Sequence, residues 1–120
     1  MCGVHEKTKL AVLWTRNDRD VADTMIVPYL REVKENKWWQ HAALILWGPS
    51  IELLASDAEL LEDVRQLVEL GVEVKANADT AKRYGAVEAL EKAGITVMPL
   101  GYGLTDVLAD ENEEWATITL

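Results

Sequence analysis

The chain has 120 residues, with 21 acidic against 12 basic side chains and a formal net charge of -9; a DNA duplex or an anionic membrane would be repelled, so nucleic-acid binding is disfavoured. Hydrophobic residues at 49% and charged residues at 28% are ordinary for a single globular domain able to bury a core, which argues against disorder. The single cysteine, Cys2, excludes an internal disulfide and a cysteine-rich zinc site, and it fits a reducing cytoplasm.

The opening MCGVHEKTK lacks the apolar stretch of a signal peptide, and no later run reaches membrane-spanning length, so a cytoplasmic protein with no membrane partner is expected. Residues 1–8 are expected to be a flexible arm ahead of one domain over 9–120. Lys9 to Thr15, KLAVLWT, is the first predicted strand. Thr15-Arg16-Asn17-Asp18 then offers cap-forming side chains. Ala22, Met25, Ile26, Tyr29, Leu30 and Val33 recur at three- and four-residue spacing, which predicts one face of a helix from about Arg19 to Glu35. Pro28 lies inside it and predicts a kink or a break, because its ring removes a hydrogen bond to the carbonyl four residues back.

The stretch around which the rest is arranged is His41 to Ser50, HAALILWGPS. It is too short for a membrane span and too continuously apolar for a half-exposed strand, so it predicts a strand covered on both faces. IELLA after it reads as a short helix. Ser56 and Glu59 have the spacing of a capping box, Leu60, Leu61, Val64, Leu67 and Val68 form a buried stripe, and Gly71 is placed to end that helix in a left-handed conformation.

Val72 to Ala76 is the third predicted strand. A helical stretch starts at Asn77-Ala78-Asp79-Thr80, with Ala81, Tyr84, Val87, Leu90 and Ala93 on one face. Gly85 interrupts it at a cost of roughly 1 kcal/mol relative to alanine and can split it in two, and Gly94 closes it. Ile95 to Met98 is a fourth strand, Pro99 to Gly103 a glycine-rich turn, Leu104 to Ala109 a short helix, Asp110 to Glu114 an acidic loop and Trp115 to Leu120 a last strand. Strands alternating with helices imply a three-layer α/β/α sandwich with a mostly parallel sheet of about five strands.

In such a sheet the loops beyond the carboxyl ends of the strands hold ligands. Arg16 can grip a carboxylate, phosphate or sulfur oxyanion through two parallel hydrogen bonds, and Ser50 stands at a helix start where backbone N–H groups are free. Thr15, Arg16, Asn17, Gly48, Ser50, Asn77, Thr80 and Tyr102 are therefore the candidate ligand-binding residues. Taken singly, Ser50, Asp18 and Asn77 are better explained as helix caps, for which these residue types are strongly preferred, and Gly101-Tyr102-Gly103 is either a close backbone approach to a ligand or only a turn. Neither the G-x-G-x-x-G nor the G-x-x-x-x-G-K-[ST] spacing is present, so no nucleotide cofactor is expected. His5 and His41, the two histidines, form no evident triad with a serine and a carboxylate, and no metal site is expected. Five tryptophans, Trp14, Trp38, Trp39, Trp47 and Trp115, divide between core and surface, and exposed ones would mark a homo-oligomer interface.

The double tryptophan before L-I-L-W-G-P-S, the helix ending in L-G-V-E-V, the Tyr84-Gly85 segment, the G-I-x-V strand and the late L-T-x-x-L together resemble the DsrE/DsrF-like proteins, from about Lys9 to Leu120. The resemblance implies an α/β/α fold, assembly as trimers or hexamers, and a role in intracellular sulfur relay with protein partners. It also implies a persulfide-carrying cysteine in the loop after the third strand. Aligned on Tyr84-Gly85, the cysteine positions fall on Asn77 and Thr80, and neither side chain supplies a thiolate. The expectation is thus a non-catalytic, oligomeric small-anion or partner-binding protein linked to sulfur metabolism. The alternative is a sulfur carrier or sulfurtransferase acting through Cys2, or in complex with a cysteine-bearing partner.

Overall fold

A computed structural model describes residues 8–109 and 114–120. Cys2, His5, the rest of 1–7 and positions 110–113 of the acidic loop lie outside the described residues. The sheet consists of β1 (Lys9–Trp14), β2 (His41–Leu46), β3 (Glu73–Asn77), β4 (Thr96–Met98) and β5 (Trp115–Thr119). Every pair is parallel and the order is β4-β3-β2-β1-β5. The strand with the longest apolar run therefore lies at the centre, where Ala42 to Leu46 are buried. A run such as Ala-Ala-Leu-Ile-Leu has no polar side chain to offer water on either face, so only a doubly covered position suits it.

Between β1 and β2 runs one helical rod made of α1 (Arg19–Val21), a π-helical turn (Ala22–Ile26) and α2 (Val27–Asn36). The remaining helices are α3 (Pro49–Ser56), α4 (Ala58–Leu70), α5 (Ala78–Arg83), α6 (Val87–Lys92) and α7 (Gly101–Leu108). From β1 to β4 the chain steps across the sheet in one direction, and right-handed crossovers then place α1 to α6 on one face. The return from β4 to β5 puts α7 on the other. Side-chain packing divides in the same way. Leu10, Val12, Trp14, Ala42, Leu44 and Leu46 join one large cluster with Ile26, Leu30, Ile51, Leu60, Leu67 and Leu90. The alternate residues Ala11 and Ile45 join a small one with Leu100, Leu13, Trp47, Val107 and Trp115. The three layers are thus unequal, and each large aliphatic side chain in the thick one contributes roughly 1.5–3 kcal/mol by leaving water.

Pro28 does not break the rod; a π-helical turn stands just before it. Val27 donates its N–H to the Ala22 carbonyl, five residues back. The wider turn makes room for a ring that would otherwise press on the carbonyl of residue 24. It also turns the helix surface, so that Ala22, Ile26, Leu30 and Val33 are buried whereas Met25 and Tyr29 are pushed to the solvent side.

Two local expectations are corrected. The cap of α4 is Asp57, whose carboxylate accepts from the Leu60 N–H at 3.0 Å, whereas Ser56 ends α3 with its hydroxyl on the Glu52 and Leu53 carbonyls. Asp57 prevails because its backbone is extended, as an N-cap requires, and the capping box with Glu59 does not form. The glycine-rich segment is the first turn of α7 rather than an irregular turn. Leu100, buried just ahead of it, accepts from Leu104 at 2.8 Å, and tertiary anchoring overrides the low helix propensity of Gly101 and Gly103. Gly71 does end α4 at φ 104°, and Gly85 separates α5 from α6 at φ 63°. Both conformations favour glycine because it carries no Cβ.

Candidate functional site

The carboxyl ends of β1 and β5 open into a cleft of about 480 Å³ lined by Trp14, Thr15, Arg16, Asp18, Val21, Thr119 and Leu120. Its position follows from the strand order. The chain leaves β1 towards β2 over one face and reaches β5 by way of α7 over the other, and a crevice opens where the two directions diverge. Arg16 is exposed at its mouth. Trp14 is fully buried and donates its indole N–H to the Arg16 carbonyl at 2.9 Å, which fixes the backbone of this loop. Among the described residues the Arg16 guanidinium has no hydrogen bond or ion pair.

The other candidate residues separate into distinct roles. Thr15 lines the cleft, but its N–H and its hydroxyl both donate to the Leu120 carbonyl, at 2.8 and 3.1 Å. Asn17 points away and donates to Glu52 at 3.1 Å. Asp18 is the cap of the rod, accepting from Val21 N–H at 3.1 Å. Its carboxylate brings negative charge beside Arg16 and saturates one of the helix's free donors. A bound anion therefore has Arg16 as its main charged contact.

Gly48 and Ser50 hold the loop after β2 against the loop after β1. Gly48 has φ 73° and ψ -146°, a region only glycine enters without strain. Ser50 is fully buried, and its hydroxyl donates to the Trp14 carbonyl at 2.6 Å while its N–H donates to the Thr15 carbonyl at 3.1 Å. It ties two strand ends together and presents nothing to the cleft. Nor is it the cap of α3, a position occupied by Gly48.

Asn77 and Thr80 stand on the far side of β2. The Asn77 amide donates to the Thr80 hydroxyl at 3.2 Å and its carbonyl oxygen accepts from the buried Leu100 N–H at 3.2 Å. It makes no capping hydrogen bond to α5. Its role is to fasten the end of β3 to the start of α7. Tyr102 is 86% exposed on α7. The structure thus brings Thr15 and Arg16 into the cleft and leaves Asn17, Gly48, Ser50, Asn77, Thr80 and Tyr102 outside its lining. Thr119 and Leu120 were missed because pairing of β5 with β1, which carries them there, leaves no trace in periodicity.

His41 begins β2 at the opposite edge, with Nε2 2.8 Å from Glu73 and its ring edge-on to Trp115. Partial burial pushes the Glu73 carboxyl up, but the hydrogen bond and charge of Lys75, then those of His41, outweigh it and hold it below the usual carboxylate range. Among the described residues no buried side-chain nitrogen or oxygen lacks a partner, and no three histidine, cysteine or carboxylate side chains gather as a metal site. No described helix is long and apolar enough to cross a membrane.

Fold and cleft together define an open, wholly parallel α/β protein whose crevice lies at the divergence of its crossovers. The chain is similar over nearly its full length to a solved structure, the conserved protein of unknown function BT1422 from Bacteroides thetaiotaomicron. The two share 31% identity and a TM-score of 0.85, over 92% of this chain and 95% of that one. At that identity and coverage the chain belongs to the same family as that protein. No family model and no curated protein matches it.

Proposed function

We propose that this chain is a DsrE-like, oligomeric cytoplasmic protein that binds a small oxyanion in the cleft at the ends of β1 and β5, without covalent chemistry of its own. The observation that carries the reading is the unpaired Arg16 guanidinium at the mouth of a cleft of about 480 Å³. An exposed arginine on a chain of net charge -9 has carboxylates in plenty to pair with, yet this one faces a crevice. A planar fork of donors suits an oxyanion better than a lone ammonium does. The link to sulfur metabolism, and to a relay protein as partner, rests on the resemblance of the sequence to the DsrE/DsrF-like proteins. A binding role without transfer is supported by Asn77 and Thr80, which stand where that resemblance implies cysteines and hydrogen-bond to each other instead.

Calorimetric titration of the full chain with thiosulfate, sulfite and phosphate tests the proposal. Saturable binding of at least one anion is expected, weakened about tenfold or more in Arg16→Ala and partly retained in Arg16→Lys, in keeping with the loss of a charge-assisted pair. Equal affinity in wild type and Arg16→Ala, or no binding at millimolar anion, would sink it.

A further inference from the structure

Beside the cleft, on the face that carries the rod, an apolar groove of about 370 Å³ lies between the rod and β5. Its floor is the buried Leu10, Val12 and Ile26, and its walls are Met25 and Tyr29 from the rod and Ile118 from β5. Met25, Tyr29 and Ile118 are each about two-fifths exposed, at 44%, 38% and 38%. The π-helical turn supplies Met25 and Ile26, and turns of this kind recur at functional sites. The Tyr29 hydroxyl accepts from the Trp39 indole N–H at 3.3 Å, which holds that wall in place.

Groove and cleft are two parts of one trough, and Leu120 lines both. Along β1 the residues on this face run from Leu10 and Val12 in the groove to Trp14 in the cleft. The rod returns in the opposite direction, and its Tyr29, Met25 and Thr24 in the groove answer to Val21 in the cleft. From Thr24 to Val21 is roughly 5 Å along the helix axis, less than one turn. The ends of the trough differ in charge. Arg16 stands at the cleft end with its guanidinium unpaired among the described residues, and Glu32 is the only charged residue lining the groove.

We infer that the ligand of the Arg16 cleft is an amphipathic anion, a free small molecule with an oxyanion head on the guanidinium and an unbranched aliphatic tail laid along the groove. The inference rests on the cleft as the anion site and names the class of its ligand. A bare inorganic oxyanion on Arg16 leaves the apolar stretch beyond Leu120 facing water; a tail covers Val12, Met25 and Ile118 and gains by that burial. Charge sets the direction in which the molecule lies, because Glu32 repels an anionic head at the groove end and Arg16 attracts it at the other. A largely apolar pocket with one placed charge is the usual make-up of a small-molecule site. The net charge of -9 sets the protein against an anionic bilayer, so the molecule is taken from solution.

Calorimetric titration of the full chain with methane-, butane-, hexane- and octanesulfonate, each below its micelle concentration, reads head and tail separately. In the wild type, affinity should rise about two- to fourfold per added methylene, the upper figure being that of complete burial. Arg16→Ala should weaken hexanesulfonate about tenfold or more. Met25→Gln combined with Ile118→Gln changes two exposed positions, and circular dichroism checks that the variant folds. It should lose the gain from butane- to octanesulfonate and bind thiosulfate, sulfite and phosphate as the wild type does. Affinity that is flat with length and still dependent on Arg16 overturns the tail and leaves the small-oxyanion reading standing. A gain with length that survives Arg16→Ala or the groove substitutions overturns the joint site, and so does co-sedimentation of the protein with phosphatidylglycerol vesicles. No binding of any sulfonate overturns the inference, while the inorganic anions decide the oxyanion reading by themselves.

Discussion

Ser50→Ala separates a structural serine from a ligand-binding one. The hydroxyl is fully buried, 2.6 Å from the Trp14 carbonyl, and that carbonyl also accepts the Trp47 N–H at 3.2 Å. Removing the hydroxyl therefore leaves the acceptor with one partner instead of none. The cost is that of a net hydrogen bond, about 1 kcal/mol, and not the 1–3 kcal/mol of an orphaned buried group. In urea, with a slope of about 2 kcal/mol/M, the midpoint falls by roughly 0.5 M at unchanged slope. The corresponding drop in Tm for a chain of this length is roughly 3–6 °C. Equilibrium unfolding measures the first and anion titration the complementary quantity, which should not move. If stability holds within about 0.3 kcal/mol while anion affinity falls tenfold, the serine faces the ligand and the reasoning is wrong.

Gly48→Ala forces a Cβ into a region that only glycine occupies readily, although the nearest atom it would meet, the Thr15 carbonyl oxygen, is 3.6 Å away. Backbone strain rather than a clash sets the loss at about 1–3 kcal/mol, measurable by the same unfolding assay. Asn77→Ala strips the buried Leu100 N–H of its acceptor, so a loss of about 1–3 kcal/mol is expected, with faster hydrogen exchange at Leu100. Asp57 has its carboxyl held below the usual carboxylate range by the Arg19 guanidinium and the Leu60 N–H. The folded state thus binds that proton less readily than the unfolded one, so the stabilisation is complete above the ordinary carboxylate pKa and is lost as pH falls through the depressed value. Asp57→Asn should flatten the acid limb of the stability profile, leaving the part due to Glu62 and Glu73, whose carboxyls are shifted in the same direction; an unaltered limb would contradict the assignment.

Burial was legible wherever one residue type ran unbroken or at a clean period. HAALIL was legible as a strand covered on both faces, and Leu60, Val64 and Leu67 as facing inward. Pro28 was legible as a disturbance, but the π-helical turn that accompanies it was not. Ser56 and Asp57 are adjacent cap formers, and side-chain chemistry alone does not choose between them; the extended backbone at Asp57 does. Gly101 and Gly103 carry a turn signal that the anchoring of Leu100 overrides. For the cleft, Thr15 and Arg16 were legible as the loop after the first strand. Ser50 and Asn77 were legible as polar residues at strand ends but not as internal ties, since the acceptor of a buried hydroxyl or amide is a tertiary fact. Thr119 and Leu120 depend on strand order, which hydrophobic patterning does not encode.

The position of β5 next to β1 has a consequence for the order in which the molecule is made. The pair Lys9↔Trp115 joins residues more than a hundred positions apart, whereas β2, β3 and β4 each add to the strand before them. During synthesis the growing sheet extends in one direction and leaves the far flank of β1 bare, with Leu10 and Val12 half covered, until residues 115–119 emerge. Closing so long a loop is slow compared with the local β-α-β steps. The partly made chain therefore carries an open, apolar edge throughout its elongation, the stage at which it is most exposed to aggregation.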